Sequence, residues 1–145
     1  MQNEDARPTD SALVRELLWD SFPEQRGVIL ALEEEEREYA SQVGQSPLEV
    51  GAYTLVSEVF IQEILEPLLE MDPPVDEQTA KRCARFLEFL LASGRRSIHE
   101  MTSIRVTDHL LGYPENWKKF RKYAGVLLLR EVKERQRYYN EPFLE

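Results

Sequence analysis

Hydrophobic positions between residues 76 and 112 recur with the period of an α-helix in two stretches, which Gly94 separates. At about 100° per residue, the apolar residues of the first stretch share one arc of the helix wheel, slightly wider than half of it. These residues are Ala80, Cys83, Ala84, Phe86, Leu87, Phe89, Leu90 and Leu91. Lys81, Arg82, Arg85 and Glu88 take the outward side. One neighbouring helix cannot cover so wide an arc, so the pattern predicts a central helix with partners on two sides.

The N-terminal part of the chain predicts two helices with narrow apolar faces. Thr9 or Asp10 can cap the first helix, which extends to about Asp20 on a stripe formed by Leu13, Leu17 and Leu18. The second helix starts after Pro23, because proline suits a first helical turn, and ends before Gly44.

The second helix carries an almost unbroken acidic run over residues 33–38. Its apolar seam is predicted to consist of Val28, Leu32, Tyr39 and Val43. On this wheel Glu35 and Glu36 flank the seam, whereas Glu33 and Glu34 point outward. The run is either a solvated helix face or an acidic surface that receives a basic partner. The residues predicted to bind that partner are Glu33, Glu34, Glu36 and Glu38.

A third helix is predicted from Ser46 to about Leu65, with a serine cap, a proline in the first turn and Glu49 reaching back to the cap. Its apolar residues encircle most of the wheel, which is typical of a second central helix. Pro67 predicts a kink or break near Glu66, before a last turn through Leu68 and Leu69. Residues 71–74 then form an extended linker.

Ser97 and Glu100 repeat the capping pattern and open a fifth helix that ends at Gly112. Its apolar side carries Ile98, Met101, Ile104 and Leu111. Three polar residues fall among these positions rather than opposite them, and polar groups on a buried face need partners. The sequence therefore predicts an inter-helix hydrogen-bond cluster that involves Arg105, Asp108 and His109.

Pro114 restarts the helical pattern, with Trp117 and Phe120 facing inward and Lys119 among the outward lysines and arginines. Gly125 suits either a tolerated helical glycine or a hinge between two short helices. The pattern continues to Arg137 and ends in basic residues, which is favourable at a helix C-terminus.

The predicted fold class is all-α, a compact right-handed stack of about six to seven short helices of armadillo or HEAT type, or an orthogonal bundle. No stretch alternates like a strand. Residues 1–8 are predicted to be a flexible leader, residues 9–137 a single helical domain with a charge and linker boundary at 71–75, and residues 138–145 a tail that is loose unless its rings dock.

Composition gives this fold an electrostatic asymmetry. The 145 residues are 42% hydrophobic, which suits one core, and carry a net charge of −9. Residues 1–72 hold 17 acidic against 4 basic residues, a charge of −13, whereas residues 73–145 hold 10 against 14, a charge of +4. The acidity argues against a nucleic-acid partner. No targeting segment or apolar stretch of membrane-spanning length is evident, so a cytoplasmic protein without membrane contact is predicted.

The residues that could carry chemistry are few. Cys83 is the single cysteine and lies on the apolar arc, so a buried, unreactive thiol is predicted. His99 and His109 are too far apart in sequence to place two metal ligands on one helical turn. The glycines are isolated and cradle no phosphate. Neither a metal nor a cofactor is predicted, and the chain is predicted not to be an enzyme.

The segments "RCARFLEFLLASG" and "IHEMTSIRVTDHLLGYPENWKKFRKYAGVLLLREV", with the earlier "FPE" and Tyr39, resemble a group of uncharacterised bacterial all-helical proteins. A Phe-x-Glu on the central helix, here Phe86-Leu87-Glu88, is part of the resemblance. It implies short helices stacked as in armadillo or HEAT solenoids, and some members lie beside polymorphic-toxin genes. The acidic run and the basic last helix depart from that pattern.

The sequence thus predicts a non-enzymatic protein–protein interaction domain. Its acidic N-terminal half is expected to bind a basic protein partner, a toxin or another protein, as an immunity or antitoxin-type inhibitor. One alternative is a self-associating homo-oligomer in which the basic last helix of one copy meets the acidic second helix of another. The other alternative is a small enzyme or anion-binding protein that uses Arg105, Asp108 and His109.

Overall fold

The computed structural model describes residues 7–72 and 75–140. Most of the predicted leader, Pro73 and Pro74 of the predicted linker, and the last five residues of the predicted tail lie outside the described residues. Helices and turns make up the described part of the chain, with no strand in it, which confirms the predicted all-α fold class.

Seven helices follow one another along the described residues. A 3₁₀ turn at Pro23–Gln25 leads into the second helix, and another at Arg121–Tyr123 follows the sixth. Two of the helices change from α to π geometry and back without a break. The helices are α1 (Asp10–Ser21), α2 (Arg26–Gln42), α3 (Ala52–Leu55, Val56–Leu65 and Glu66–Glu70), α4 (Glu77–Leu91), α5 (Arg96–Thr102, Ser103–Thr107 and Asp108–Gly112), α6 (Pro114–Phe120) and α7 (Val126–Asn140).

The chain divides into two compact units, Met1–Glu63 and Ile64–Glu145, and the division falls within α3. The first unit has 14 acidic and 4 basic residues, a charge of −10, and the second has 13 and 14, a charge of +1. The single helical domain over residues 9–137 stays a prediction.

In the first unit, buried side chains of α1, α2 and α3 surround a pair of aromatic rings. Phe22 and Phe60 are both fully buried, with ring centroids 5.9 Å apart. Their separation is in the range of favourable aromatic contacts. The other buried residues of this unit are Val14, Leu18, Ile29, Ala40, Leu55, Val56, Val59 and Ile61. Leu13 and Leu17 of the predicted stripe are only half-buried.

The N-terminus of α1 is capped as predicted, and this cap explains why α3 starts late. The Thr9 hydroxyl oxygen accepts the backbone N–H of Ala12 at 3.0 Å and donates to the Glu49 carboxylate at 2.9 Å. Glu49 is thereby held beside α1 and does not cap the third helix. The predicted start at Ser46 is wrong: residues 45–51 are not helical and α3 begins at Ala52.

The buried side of α2 differs from the predicted seam. Ile29 and Ala40 are buried, whereas Tyr39 is 59% exposed and Val43 is 45% exposed. The small side chain of Ala40 permits close packing, whereas the ring of Tyr39 lies on the surface. The prediction of Tyr39 and Val43 as core residues is therefore wrong, because the buried side of α2 is centred on Ile29 and Ala40 and Val43 lies beyond the end of the helix.

Pro67 does not break α3. The ten residues Val56–Leu65 before it form a π-helix, in which each turn is wider than in an α-helix. Pro67 then occupies the first turn of the α-helical segment Glu66–Glu70. A proline is tolerated in a first turn, where its missing N–H matters least. The predicted last turn is confirmed, since Leu68 and Leu69 are buried.

In the second unit α4 packs against both α5 and α7, as the predicted central helix should. Six residues of the predicted arc are buried: Ala80, Cys83, Ala84, Phe86, Leu87 and Leu90. Cys83 is a buried free thiol, as predicted. Phe89 is 49% exposed and Leu91 is half-buried, so the arc is narrower than predicted.

The start and the buried face of α5 both differ from the prediction. Gly94 ends α4 with a φ of +76°, but α5 begins at Arg96, one residue before Ser97, and its N-cap residue Arg95 makes no side-chain capping bond. The π-helical segment Ser103–Thr107 changes the rotation per residue within α5. Ile104 is consequently exposed, and Ser103 and Thr107 are buried instead.

Gly125 is a hinge, as one of the two predicted alternatives had it, because it separates the turn Arg121–Tyr123 from α7. The carboxylate of Glu88 accepts the backbone N–H groups of Leu127 at 3.1 Å and Leu128 at 2.8 Å. Glu88 of α4 thus caps α7, so its predicted outward position is wrong. A side chain on residue 125 would collide with it, since an added Cβ would lie 2.7 Å from the Glu88 Cγ atom.

Lys119 also has a role that its predicted outward position did not give it. Its ammonium group donates to the backbone carbonyl oxygens of Leu69 at 2.7 Å and Met71 at 3.2 Å. These carbonyls lie at the C-terminal end of α3, where cations are favourable. Lys119 therefore caps a helix.

Candidate functional site

The four glutamates predicted to bind a partner occupy different environments on α2. Glu33 is half-buried and pairs with Arg15, with the Arg15 Nε atom 2.5 Å from a Glu33 oxygen. This hydrogen bond raises the pKa of Arg15 above its ordinary value and outweighs the opposing effect of burial. Glu34 is exposed and pairs with Arg37 at 2.7 Å. Glu36 is half-buried, and Glu38 is exposed.

Two carboxylates on the outward side of α2 have no cationic partner within ion-pair distance among the described residues. They belong to Glu35 and Glu38, which are both exposed. Glu35 lies one helical turn before Tyr39. Glu35 is not among the binding residues predicted from the sequence. Five residues of this side are here called the acidic face, and they lie on the half of α2 opposite Ile29 and Ala40: Leu30, Glu34, Glu35, Glu38 and Tyr39.

A groove of about 740 Å³ lies between α1, α2 and the segment 45–51 in the first unit. Leu48, Glu33 and Trp19 are among the residues that line it. The guanidinium groups of Arg15 and Arg26 lie 4.7 and 4.9 Å from the Trp19 ring, in cation–π contact. The lining residues carry both signs of charge and include neither His nor Cys.

The outward side of α7 is basic and partly apolar. Val126 is 68% exposed and Leu129 is 41% exposed. Arg130, Lys133 and Arg137 are exposed and, among the described residues, have no carboxylate within ion-pair distance. These five residues lie within an arc of about 100° on the helix wheel and are called the basic face below.

Of the three residues in the predicted polar cluster, Asp108 joins two helices. It accepts two hydrogen bonds from the Arg135 guanidinium, at 2.8 and 3.0 Å, and one from the Tyr139 hydroxyl at 2.8 Å. Partial burial acts to raise the pKa of Asp108, but the hydrogen bonds from Arg135 and Tyr139 outweigh it and hold the pKa below its ordinary value. Asp108 raises the pKa of the Tyr139 hydroxyl in turn.

His109 has other neighbours. Its Nε2 atom lies 3.8 Å from the Glu66 carboxylate, and its ring lies 5.6 Å from that of Tyr113. Arg105 is exposed. A shallow hollow of about 480 Å³ beside Asp108 is not lined by His109. The geometry gives no support to a catalytic pair formed by Asp108 and His109, because they face different partners.

A third polar cluster is not predicted from the sequence. The carboxylate of Glu131 is 4% exposed, accepts the Ser103 hydroxyl, and lies 3.2 Å from the His99 Nε2 atom. In a serine-hydrolase triad the histidine lies between serine and acid, whereas here the carboxylate lies between the other two, so His99 is not placed to take the serine proton. No local pattern could predict this cluster, because its members come from α5 and α7.

The described residues contain no group of three or more His, Cys, Asp and Glu side chains placed to hold a metal ion. None of the helices in the same part of the chain is long and apolar enough to cross a bilayer.

These surfaces have no counterpart from which a function could be transferred. Comparison of the chain with protein-family models, with curated proteins and with solved structures gives no match in any of the three.

Proposed function

We propose that this chain is a non-enzymatic protein-interaction domain that binds a basic protein partner through the acidic face of α2. The observation that carries the proposal is that Glu35 and Glu38 are exposed and lack a cationic partner among the described residues. Tyr39 lies beside them and is 59% exposed.

Three properties of this surface suit a basic partner. Binding to Glu35 or Glu38 breaks no existing ion pair among the described residues. The surrounding charge of −10 on the first unit attracts cations over distances up to the Debye length, about 10 Å at 0.1 M salt. The Tyr39 ring offers contact area of the kind that dominates binding energy at interfaces. The partner is therefore a segment with both basic and apolar side chains.

The experiment uses a labelled synthetic peptide, an amphipathic helix with lysines on one side and leucines on the other, and measures its binding by fluorescence anisotropy. A second peptide, with glutamate in place of lysine, tests the sign of the charge. We expect the basic peptide alone to bind, and the double substitution Glu35→Gln with Glu38→Gln to weaken binding about 3- to 30-fold at low salt.

The matched control changes the same number of charges elsewhere. Glu70 and Glu100 are exposed residues of the second unit, and their replacement by glutamine removes two negative charges. This control should bind the basic peptide as the wild type does. An equal loss in the control, or no loss in the α2 variant, would refute a specific role for the acidic face.

An inhibitor of the immunity or antitoxin type is the more specific form of this proposal. The acidity of the first unit and the resemblance support it. Its test is replacement of Glu33, Glu34, Glu36 and Glu38 by glutamine, followed by purification of the chain from its source cell. A basic protein that copurifies with the wild type should be lost from this variant; unchanged recovery at every salt concentration would contradict the proposal.

A further inference from the structure

We infer that the basic face of α7 is a second docking surface and that it binds the acidic face of another copy of this chain. The inference rests on the proposed function, because it uses the same side of α2, and it names the partner as α7 of a second molecule.

The basic face is available for binding. Arg135, on the same helix, is held by Asp108 and is not part of it. The three cations of the basic face, Arg130, Lys133 and Arg137, are exposed and have no carboxylate within ion-pair distance among the described residues. Val126 and Leu129 add exposed aliphatic side chains to the same arc.

The two faces are complementary in charge, apolar character and length. The acidic face carries three carboxylates with Leu30 and Tyr39, and the basic face carries three cations with Val126 and Leu129. At 1.5 Å per residue, the acidic face is about 14 Å long from Leu30 to Tyr39, and the basic face is about 17 Å long. Opposite charges on helices of similar length favour side-by-side contact and disfavour pairing of either face with itself.

This contact joins different surfaces of two identical molecules, so one molecule keeps its basic face free and the other keeps its acidic face free. Such heterologous contacts either close into a ring or continue into a longer chain. Self-association should therefore increase with protein concentration and weaken as salt screens the charges.

The test uses two charge-reversed variants. The first replaces Glu34, Glu35 and Glu38 by lysine, so that it has two basic faces. The second replaces Arg130, Lys133 and Arg137 by glutamate, so that it has two acidic faces. We expect the wild type to self-associate at low ionic strength and each variant alone to be monomeric, with association at least about 100-fold weaker. An equimolar mixture of the two should associate again, since each face then meets the opposite charge. Sedimentation velocity measures all four samples.

Circular dichroism of each variant shows whether the helices are retained. A control that reverses Glu70, Glu100 and Glu115 to lysine gives the same change in net charge as the first variant, outside the two faces, and should associate like the wild type. A monomeric wild type at low salt, or a mixture that stays monomeric although both variants are helical, would overturn the inference.

Failure of self-association can be told apart from failure of the proposed binding to a basic partner. If the wild type is monomeric but loses affinity for the basic peptide on replacement of Glu35 and Glu38, the acidic face binds a different protein and only the present inference fails. If the peptide binds wild type and variant equally, the proposed function fails. If the wild type then still associates and the first reversed variant does too, α2 is not the docking helix and both proposals are wrong.

Discussion

Glu88 has a role that its position on a helix wheel could not indicate. A wheel separates apolar from polar positions within one helix, and by that measure Glu88 belongs to the solvent side of α4. Its carboxylate instead accepts two N–H groups in the first turn of α7, which have no partner within their own helix. The negative charge also suits the positive end of the α7 dipole. The donors are backbone groups about 40 residues away, so no sequence pattern around Glu88 predicts them.

The contact between Gly125 and Glu88 gives a prediction at this scale. Replacing Gly125 by alanine places a Cβ 2.7 Å from the Glu88 Cγ atom and forces the carboxylate away from the α7 backbone. We expect a loss of about 1–3 kcal/mol in the free energy of unfolding, measured by urea denaturation. Gly27 is the matched control, because it lies in α2 with no atom within 4 Å of an added Cβ. Its replacement by alanine should leave stability unchanged or raise it by up to about 1 kcal/mol. Equal effects at both positions would contradict the steric explanation.

At the scale of the element, the ion pair between α5 and α7 makes stability depend on pH. The folded-state pKa of Asp108 lies below its ordinary value, so the unfolded chain takes up this proton first as pH falls. The stabilisation is therefore complete above pH about 4, the pKa of an unperturbed aspartate, and is lost as pH falls through the lower folded-state pKa.

Replacing Asp108 by asparagine removes this contribution. We expect the variant to be less stable than the wild type at neutral pH, by about 1 kcal/mol, and the difference to shrink below pH about 4. Urea denaturation of both proteins between neutral and acidic pH measures it. The control is Glu115→Gln, which removes an exposed carboxylate paired only with Lys118 and should change stability by a few tenths of a kcal/mol at most. A difference that persisted at low pH would show that the charge of Asp108 is not its source.

The helices differ in how well the sequence predicts them. Three of the helices without a change of geometry, α1, α2 and α4, begin and end within a few residues of the predicted positions, because caps and glycines are local signals. The π-helical segments of α3 and α5 have no such signal. Pro67 is accommodated without a break after the first segment, and Ile104 of the second segment faces outward instead of inward. A π segment changes the rotation per residue, so a wheel drawn at constant rotation fails beyond it.

For the whole molecule, helical periodicity is enough to predict an all-α fold, since no alternating segment competes with it. The charge asymmetry of the sequence likewise favours α2 as the helix of the candidate binding site. The orientation of α2 is not predictable in the same way. Its buried side carries Ile29 and Ala40, and which side is buried is a property of the packed unit. The Glu131 cluster depends on contacts between distant segments, so the sequence gives no sign of it.

The predicted single domain can be tested with the two tryptophans, because Trp19 lies in the first unit and Trp117 in the second. The variants Trp19→Phe and Trp117→Phe each retain one fluorescent reporter. A single cooperative domain requires coincident unfolding midpoints in urea for both reporters, and this is the expected result. Circular dichroism of each variant is the control for helix content. Midpoints that differ between the reporters, at equal overall stability of the two variants, would show that the units unfold separately.

The bond between Glu88 and the start of α7 also bears on how the chain is made. Glu88 leaves the ribosome 39 residues before Leu127. At roughly 5–20 residues per second, the acceptor is in solution for several seconds before its donors emerge. The Glu88 carboxylate is therefore already in solution when α7 emerges. The first turn of α7 can form as soon as it is released from the ribosome.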